Sequence, residues 1–187
     1  MTRLLTLLIA LCTLPGYTFA QSGEPSWLIS SGPDFSQSWL GSEDRRRGGF
    51  FSVQYAKPEP RFCLWGTEGE MAIEGYFLYS RGGGHRGWPV TRSFEYGLLL
   101  IGRYWQGQSG GVRTYYEGGW GLDYSNRIPF DLDQRLNSAP MLGVGIATPF
   151  NGREIQIGFR WLHVSNGGTN GSNEGHNYLL ATVGLRF

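Results

Sequence analysis

Cysteine is nearly absent. Of the two in the chain, Cys12 lies inside an N-terminal apolar stretch and only Cys63 lies beyond it, so no disulfide framework can hold the mature chain together. After that stretch there is no run of about 18 apolar residues, which excludes a membrane-spanning helix. A dominant charge is missing too: 16 basic against 15 acidic residues leave no electrostatic footprint for a nucleic-acid partner. The "GGGH" that ends at His85 lacks the Lys-Ser or Lys-Thr of a phosphate loop.

The first residues form the pattern of a secretory signal. Arg3 precedes an apolar stretch from Leu4 to Leu14, and Tyr17-Thr18-Phe19-Ala20 ends in a small residue suited to cleavage. Leu11 before Cys12 argues against a lipid-anchored cysteine. The expected division is residues 1–20 as signal peptide and 21–187 as one domain.

What the chain has in quantity is glycine and aromatic side chains, with 30 Gly, 7 Trp, 10 Tyr and 11 Phe in 187 residues. These fall in alternating runs, the mark of strands with two unlike faces. In "GFFSVQYAK" Phe51, Val53 and Tyr55 oppose Ser52, Gln54 and Ala56. Met71, Ile73 and Phe77 oppose Glu70, Ala72 and Glu74, and Leu98 and Leu100 share a face with Phe94 and Tyr96. Further runs cover 111–125, 140–150, 153–165 and the C-terminal segment. The polar faces mix glycine with charges of both signs, among them Glu74, Glu95, Arg103, Arg113, Glu117, Asp123, Glu154, Arg160 and Arg186. Such a face suits a narrow barrel lumen filled by ion pairs, and an aromatic-flanked apolar face suits lipid. A soluble sandwich is the competing arrangement, because periodicity does not say which face is buried.

Connector lengths favour the barrel. Long joins (166–176, 126–137, 80–92) alternate with short ones (149–153, 106–111, 58–62), and Asn151-Gly152-Arg153 is a tight hairpin signal. An even count requires one more strand, supplied by Trp27 to Ser31, with Gly32 to Gly49 as the first outer loop and Glu43 to Arg47 as a solvated charge cluster in it. The last alternating run, Leu179, Ala181, Val183, Leu185, ends on the terminal Phe187, the usual mark of an outer-membrane barrel. The expected fold is all-β, an eight-stranded antiparallel transmembrane β-barrel in a Gram-negative outer membrane.

One run carries chemistry. Ile155, Ile157, Phe159, Trp161, His163 and Ser165 share a strand face, so a base and a hydroxyl lie two residues apart on the side expected to meet lipid. A serine becomes a nucleophile when a neighbouring base removes its proton; the bland alternative is a pair of interfacial side chains. His85 and His176 fall in glycine-rich loops without further marked ligands, so neither a metal nor another cofactor is expected.

"HVSNGG" followed by "NEGHN" resembles the signature of the lipid A 3-O-deacylase family. The resemblance is close over the last two strands and looser over the signal peptide, length and eight-strand plan. It implies an esterase that removes an acyl chain from lipid A, with outer-membrane lipid and lipopolysaccharide as its partners. Ser165 would be the nucleophile and His163 the general base, with Asn166, Asn173 and amides near Gly168 stabilising the oxyanion. Where the family pattern has an acidic residue to orient the histidine, alignment through Asn173-Glu174-Gly175 places Asn177; Glu174 is the alternative third member. Two other readings stand beside it: a non-catalytic structural or adhesin-like small barrel, and a phospholipid esterase. Whether the barrel acts alone or as a homodimer is open.

Overall fold

The protein is described by a computed structural model covering residues 24–36, 45–62, 68–82, 90–107, 111–128, 132–169, 171 and 173–187; the expected signal peptide, Glu43, Asp44 and His85 lie outside the described residues. The strands are β1 (Ser26–Ser36), β2 (Arg46–Pro58), β3 (Glu68–Gly82), β4 (Thr91–Gln106), β5 (Arg113–Ser125), β6 (Leu136–Ser138), β7 (Met141–Phe150), β8 (Arg153–Val164) and β9 (His176–Arg186). Each pairs antiparallel with its neighbours, and the β1–β9 and β4–β5 pairings close the sheet. The three-residue β6 and then β7 pair with successive parts of β5, so the two share one position in the wall. The result is a closed eight-stranded antiparallel barrel, as the alternation implied.

The faces divide as expected. Outward-facing Leu98, Leu100, Trp120 and Leu142 are all more than half exposed, an apolar surface far beyond what a soluble sandwich tolerates. Inside, Glu117 accepts from Arg103 Nη2 at 2.7 Å and also from Arg160 Nε. Arg103 Nη1 reaches Glu70 at 2.9 Å and Arg160 Nη1 reaches Glu74 at 2.7 Å. Arg186 and Glu70 lie 2.8 Å apart, and Arg113 pairs with Glu154. Inward glycines admit larger neighbours: a Cβ on Gly97 would overlap the Tyr76 ring, and one on Gly145 the Tyr115 ring.

One end of the barrel carries the tight β7–β8 turn, the start of β1 and the C-terminal Phe187. Asn151 and Gly152 have φ of 47° and 74°, the positive pair a two-residue hairpin demands. The opposite end carries the connectors after β1, β3, β5 and β8 and is called the loop end below.

Two expectations require correction there. β1 runs to Ser36, with Gly32 opposite Phe50 and Asp34 opposite Gly48, so both ends of the expected loop, 32–36 and 46–49, are strand. Pro33 pairs with β2 at Gly49 and falls in a gap of the β1–β9 ladder, where a missing N–H is tolerated. Arg46, expected in a solvated cluster, is buried, donating to Ser80 Oγ and Ser93 Oγ at 2.9 Å each. Nearby, Tyr178 Oη donates to Glu95 and Tyr76 Oη to Asp123, both at 2.7 Å.

Removing one partner from a buried ion network leaves the others uncompensated, at a cost of about 3–5 kcal/mol. Glu117→Gln is therefore expected to destabilise the barrel by that order in urea titrations in lipid vesicles, whereas Glu68→Gln, whose carboxylate is mostly exposed, changes stability by less than about 1 kcal/mol. Equal midpoints for the two variants would contradict the assignment.

Candidate active site

Strand β8 travels toward the loop end with Ile157, Phe159, Trp161 and His163 on its outer face, and β9 returns beside it with Asn177 directly opposite His163. The expected neighbours are thus brought together by register. Asn177 is fully buried between the strands, and His163 is partly exposed.

Two donors converge on one Asn177 atom. Trp161 Nε1 lies 3.0 Å from Asn177 Oδ1, and His163 Nδ1 lies 2.9 Å from the same oxygen. An indole nitrogen can only donate, so the amide must present its oxygen to Trp161. That oxygen is then also what faces His163, which makes Nδ1 the protonated nitrogen of the neutral ring. Nε2 is left with its lone pair, the form a general base requires. Sequence reasoning missed Trp161: it reads as one more aromatic of the apolar face, and nothing in its spacing marks the indole N–H as a donor.

Gly175 flanks the other edge of the ring. Its φ is 73°, and a Cβ built on it would stand 2.7 Å from His163 Cε1 and 3.2 Å from Nε2. Any side chain there strains the backbone and crowds the basic nitrogen.

Ser165 follows the last residue of β8 and is held by β6. Ser138 N donates to Ser165 O at 2.8 Å and Ser165 N to Ser138 O at 3.0 Å. Ser138 Oγ donates to Ser165 O at 2.9 Å and lies 3.3 Å from Ser165 Oγ. Because the single Ser138 hydroxyl proton goes to the carbonyl, the Ser165 hydroxyl must donate in the second contact. The nucleophile candidate is parked on Ser138, and among the described residues no hydrogen bond joins it to His163. Ser138 carries no sequence signal, because its partner is 27 residues away and β6 is too short to show alternation.

The loop after Ser165 is bonded to itself. Asn166 Oδ1 accepts from Gly168 N at 2.8 Å, Asn173 Oδ1 accepts from Asn166 N at 2.9 Å, and Thr169 Oγ1 donates to Asn166 O at 2.7 Å. The Asn173–Leu132 bridge ties it to the connector after β5. The residues expected to bind an oxyanion therefore hold the turn in this state, and the Gly168 amide is engaged within it. Glu174 is exposed in the loop. His176, expected in a loop, is the first residue of β9, buried, with Nδ1 3.4 Å from Tyr178 Oη.

The family model for lipid A 3-O-deacylase (PagL) matches residues 16–186. Among solved structures the chain is similar to Neisserial surface protein A, with a TM-score of 0.62 and 11% identity over 87% of this chain and 95% of that one. It is also similar to the outer membrane enzyme PagL, with a TM-score of 0.52 and 14% identity over 88% of this chain and 99% of that one. No curated protein matches it.

If the amide oxygen sets the tautomer, Asn177→Ala lowers turnover by roughly 10²–10⁴-fold in purified, folded barrel, and Asn177→Asp, which offers the same oxygen position, retains it or raises it. Glu174→Gln is expected to be mild. Loss of activity in Glu174→Gln with a mild Asn177→Ala would move the orienting role to Glu174.

Proposed function

Because the chain belongs to the lipid A 3-O-deacylase family, we propose that it is an outer-membrane esterase that hydrolyses the 3-linked acyl chain of lipid A at the loop-end rim of the barrel. The observation that carries the reading is the shared Asn177 oxygen, which leaves His163 Nε2 unprotonated two residues from Ser165.

In this reading the loop end faces the cell exterior, so the site lies at outer-leaflet depth on the lipid-facing wall. The substrate ester already resides in that leaflet and reaches the site sideways, which explains why the chemistry needs no enclosed cavity. Ser165 Oγ leaves Ser138, passes its proton to His163 Nε2 and attacks the ester carbonyl. The tetrahedral oxyanion collapses, and the imidazolium returns the proton to the departing lipid A hydroxyl. The acyl-Ser165 ester is then attacked by water, whose proton goes to Nε2; collapse releases the fatty acid and restores the serine. Asn166, Asn173 and the Gly168 amide are the candidate donors for the oxyanion, and serving it requires them to exchange bonds within the turn.

Asn177 holds the ring but carries no charge, so the imidazolium is stabilised less than it would be by a carboxylate. The barrel fold alone does not argue for an enzyme, since it is shared with Neisserial surface protein A; the pairing of His163 with Asn177 at the strand end that carries Ser165 is what supports the reading.

Mass spectrometry of lipid A from cells expressing the wild type is expected to show loss of one hydroxyacyl group, absent with Ser165→Ala at equal levels of folded barrel. Unchanged lipid A with the wild type across several lipid A types would sink the enzyme reading. Release of acyl chains from phospholipid alone would shift it to a phospholipid esterase.

A further inference from the structure

The outer faces of β2, β3 and β4 end in a row of guanidinium groups. Arg47 is the cross-strand partner of Arg81, and Arg81 is the partner of Arg92. All three are exposed and share the outward parity of Phe51, Phe77 and Phe94. Among the described residues no carboxylate forms an ion pair with any of them. In sequence, the segments preceding β2 and β4 carry Arg45 and Arg86 against Glu43 and Asp44, so they bring no excess of acid.

Like charges directly opposite on adjacent strands repel, and neighbouring strands stand about 4.8 Å apart. Such a row persists where an anion offsets it, and its depth indicates which. One outward step inside the row, Tyr79 pairs with Phe94 at a centroid distance of 5.2 Å. The next step holds Phe77 and Tyr96 at 5.3 Å. Aromatic pairs of this kind mark the membrane interface, and the arginines sit two residues, roughly 7 Å, beyond them. That is headgroup depth. A guanidinium fork binds phosphate oxygens in pairs, which a point charge does not.

We propose that Arg47, Arg81 and Arg92 form a docking row for the phosphate of a phosphorylated lipid in the surrounding leaflet. In the closed strand order β3 lies three positions from β9 and four from β8, so the row stands across the barrel from His163 and Ser165. It is a second lipid site, separate from the wall where the ester would react, and it does not depend on the esterase reading.

The test uses a probe that no esterase can cleave. Purified full-length barrel is titrated in detergent with a dialkyl-ether phosphatidic acid, or with the same dialkylglycerol lacking phosphate, and bound lipid is counted by native mass spectrometry. The wild type is expected to retain the phosphorylated lipid preferentially. The triple variant Arg47→Gln/Arg81→Gln/Arg92→Gln should weaken that retention by roughly a hundredfold, three basic side chains each contributing about a factor of five. The corresponding triple Lys variant, which keeps the charge but not the paired-donor fork, should fall between the wild type and the Gln triple. A heat-modifiable gel shift confirms the folded barrel in each. Equal retention of the phosphate-free lipid, or a Gln triple that binds within a few fold of the wild type, would overturn the proposal.

Discussion

Arg103 and Arg160 converge on a single buried carboxylate, Glu117, and the rest of the wall is arranged around that neutralisation. An eight-position barrel is too narrow for a water channel, yet a closed sheet turns every second residue into it. Large apolar residues fill the outward positions of the wall, and the inward positions combine glycine, polar groups and charges with a buried apolar cluster that includes Phe50, Leu78, Leu99, Ile101 and Leu162. The charges around Glu117 are tolerable as a network of opposite partners, while Glu95 and Asp123 nearer the loop end accept from Tyr178 and Tyr76. The same alternation pushes Trp161 and His163 outward, onto a face where polar chemistry otherwise has no place.

Only the rim allows such chemistry, and there the ladder itself does the positioning. His163 and Asn177 are opposed residues of β8 and β9, so their separation is set by strand pairing and not by a flexible loop. The Trp161 indole then removes the ambiguity of the amide, and the amide removes that of the imidazole. Two backbone-fixed side chains thereby select one tautomer. Ser165 is set by the same ladder continued: its bridge to Ser138 keeps the register of Met141 with Leu162 across the Ala139-Pro140 interruption.

The sequence made the periodic parts legible. Eight wall positions, both faces, the Asn151-Gly152 turn and the shared face of His163 and Ser165 follow from period two and turn chemistry, which are local. Asn177 as partner of His163 came through parity and resemblance together. What stayed hidden depends on long-range contact. Arg46 belongs to a run of three arginines and looked solvated, but strand parity sends it inward to Ser80 and Ser93 while Arg47 points out. Ser138 is placed by pairing with a distant strand end. Gly32 to Gly49 reads as a loop once Trp27 to Ser31 is taken as the strand, and only the ladder shows that both ends of that segment are strand.

The central claim is that Ser165 is a nucleophile activated by His163. Intact-protein mass spectrometry after treatment of the folded barrel with a fluorophosphonate bearing an alkyl tail tests this directly. One adduct per chain, mapped to the peptide carrying Ser165 and lost in His163→Ala, is the predicted result. No adduct at Ser165, or equal labelling when His163 is replaced, would contradict it.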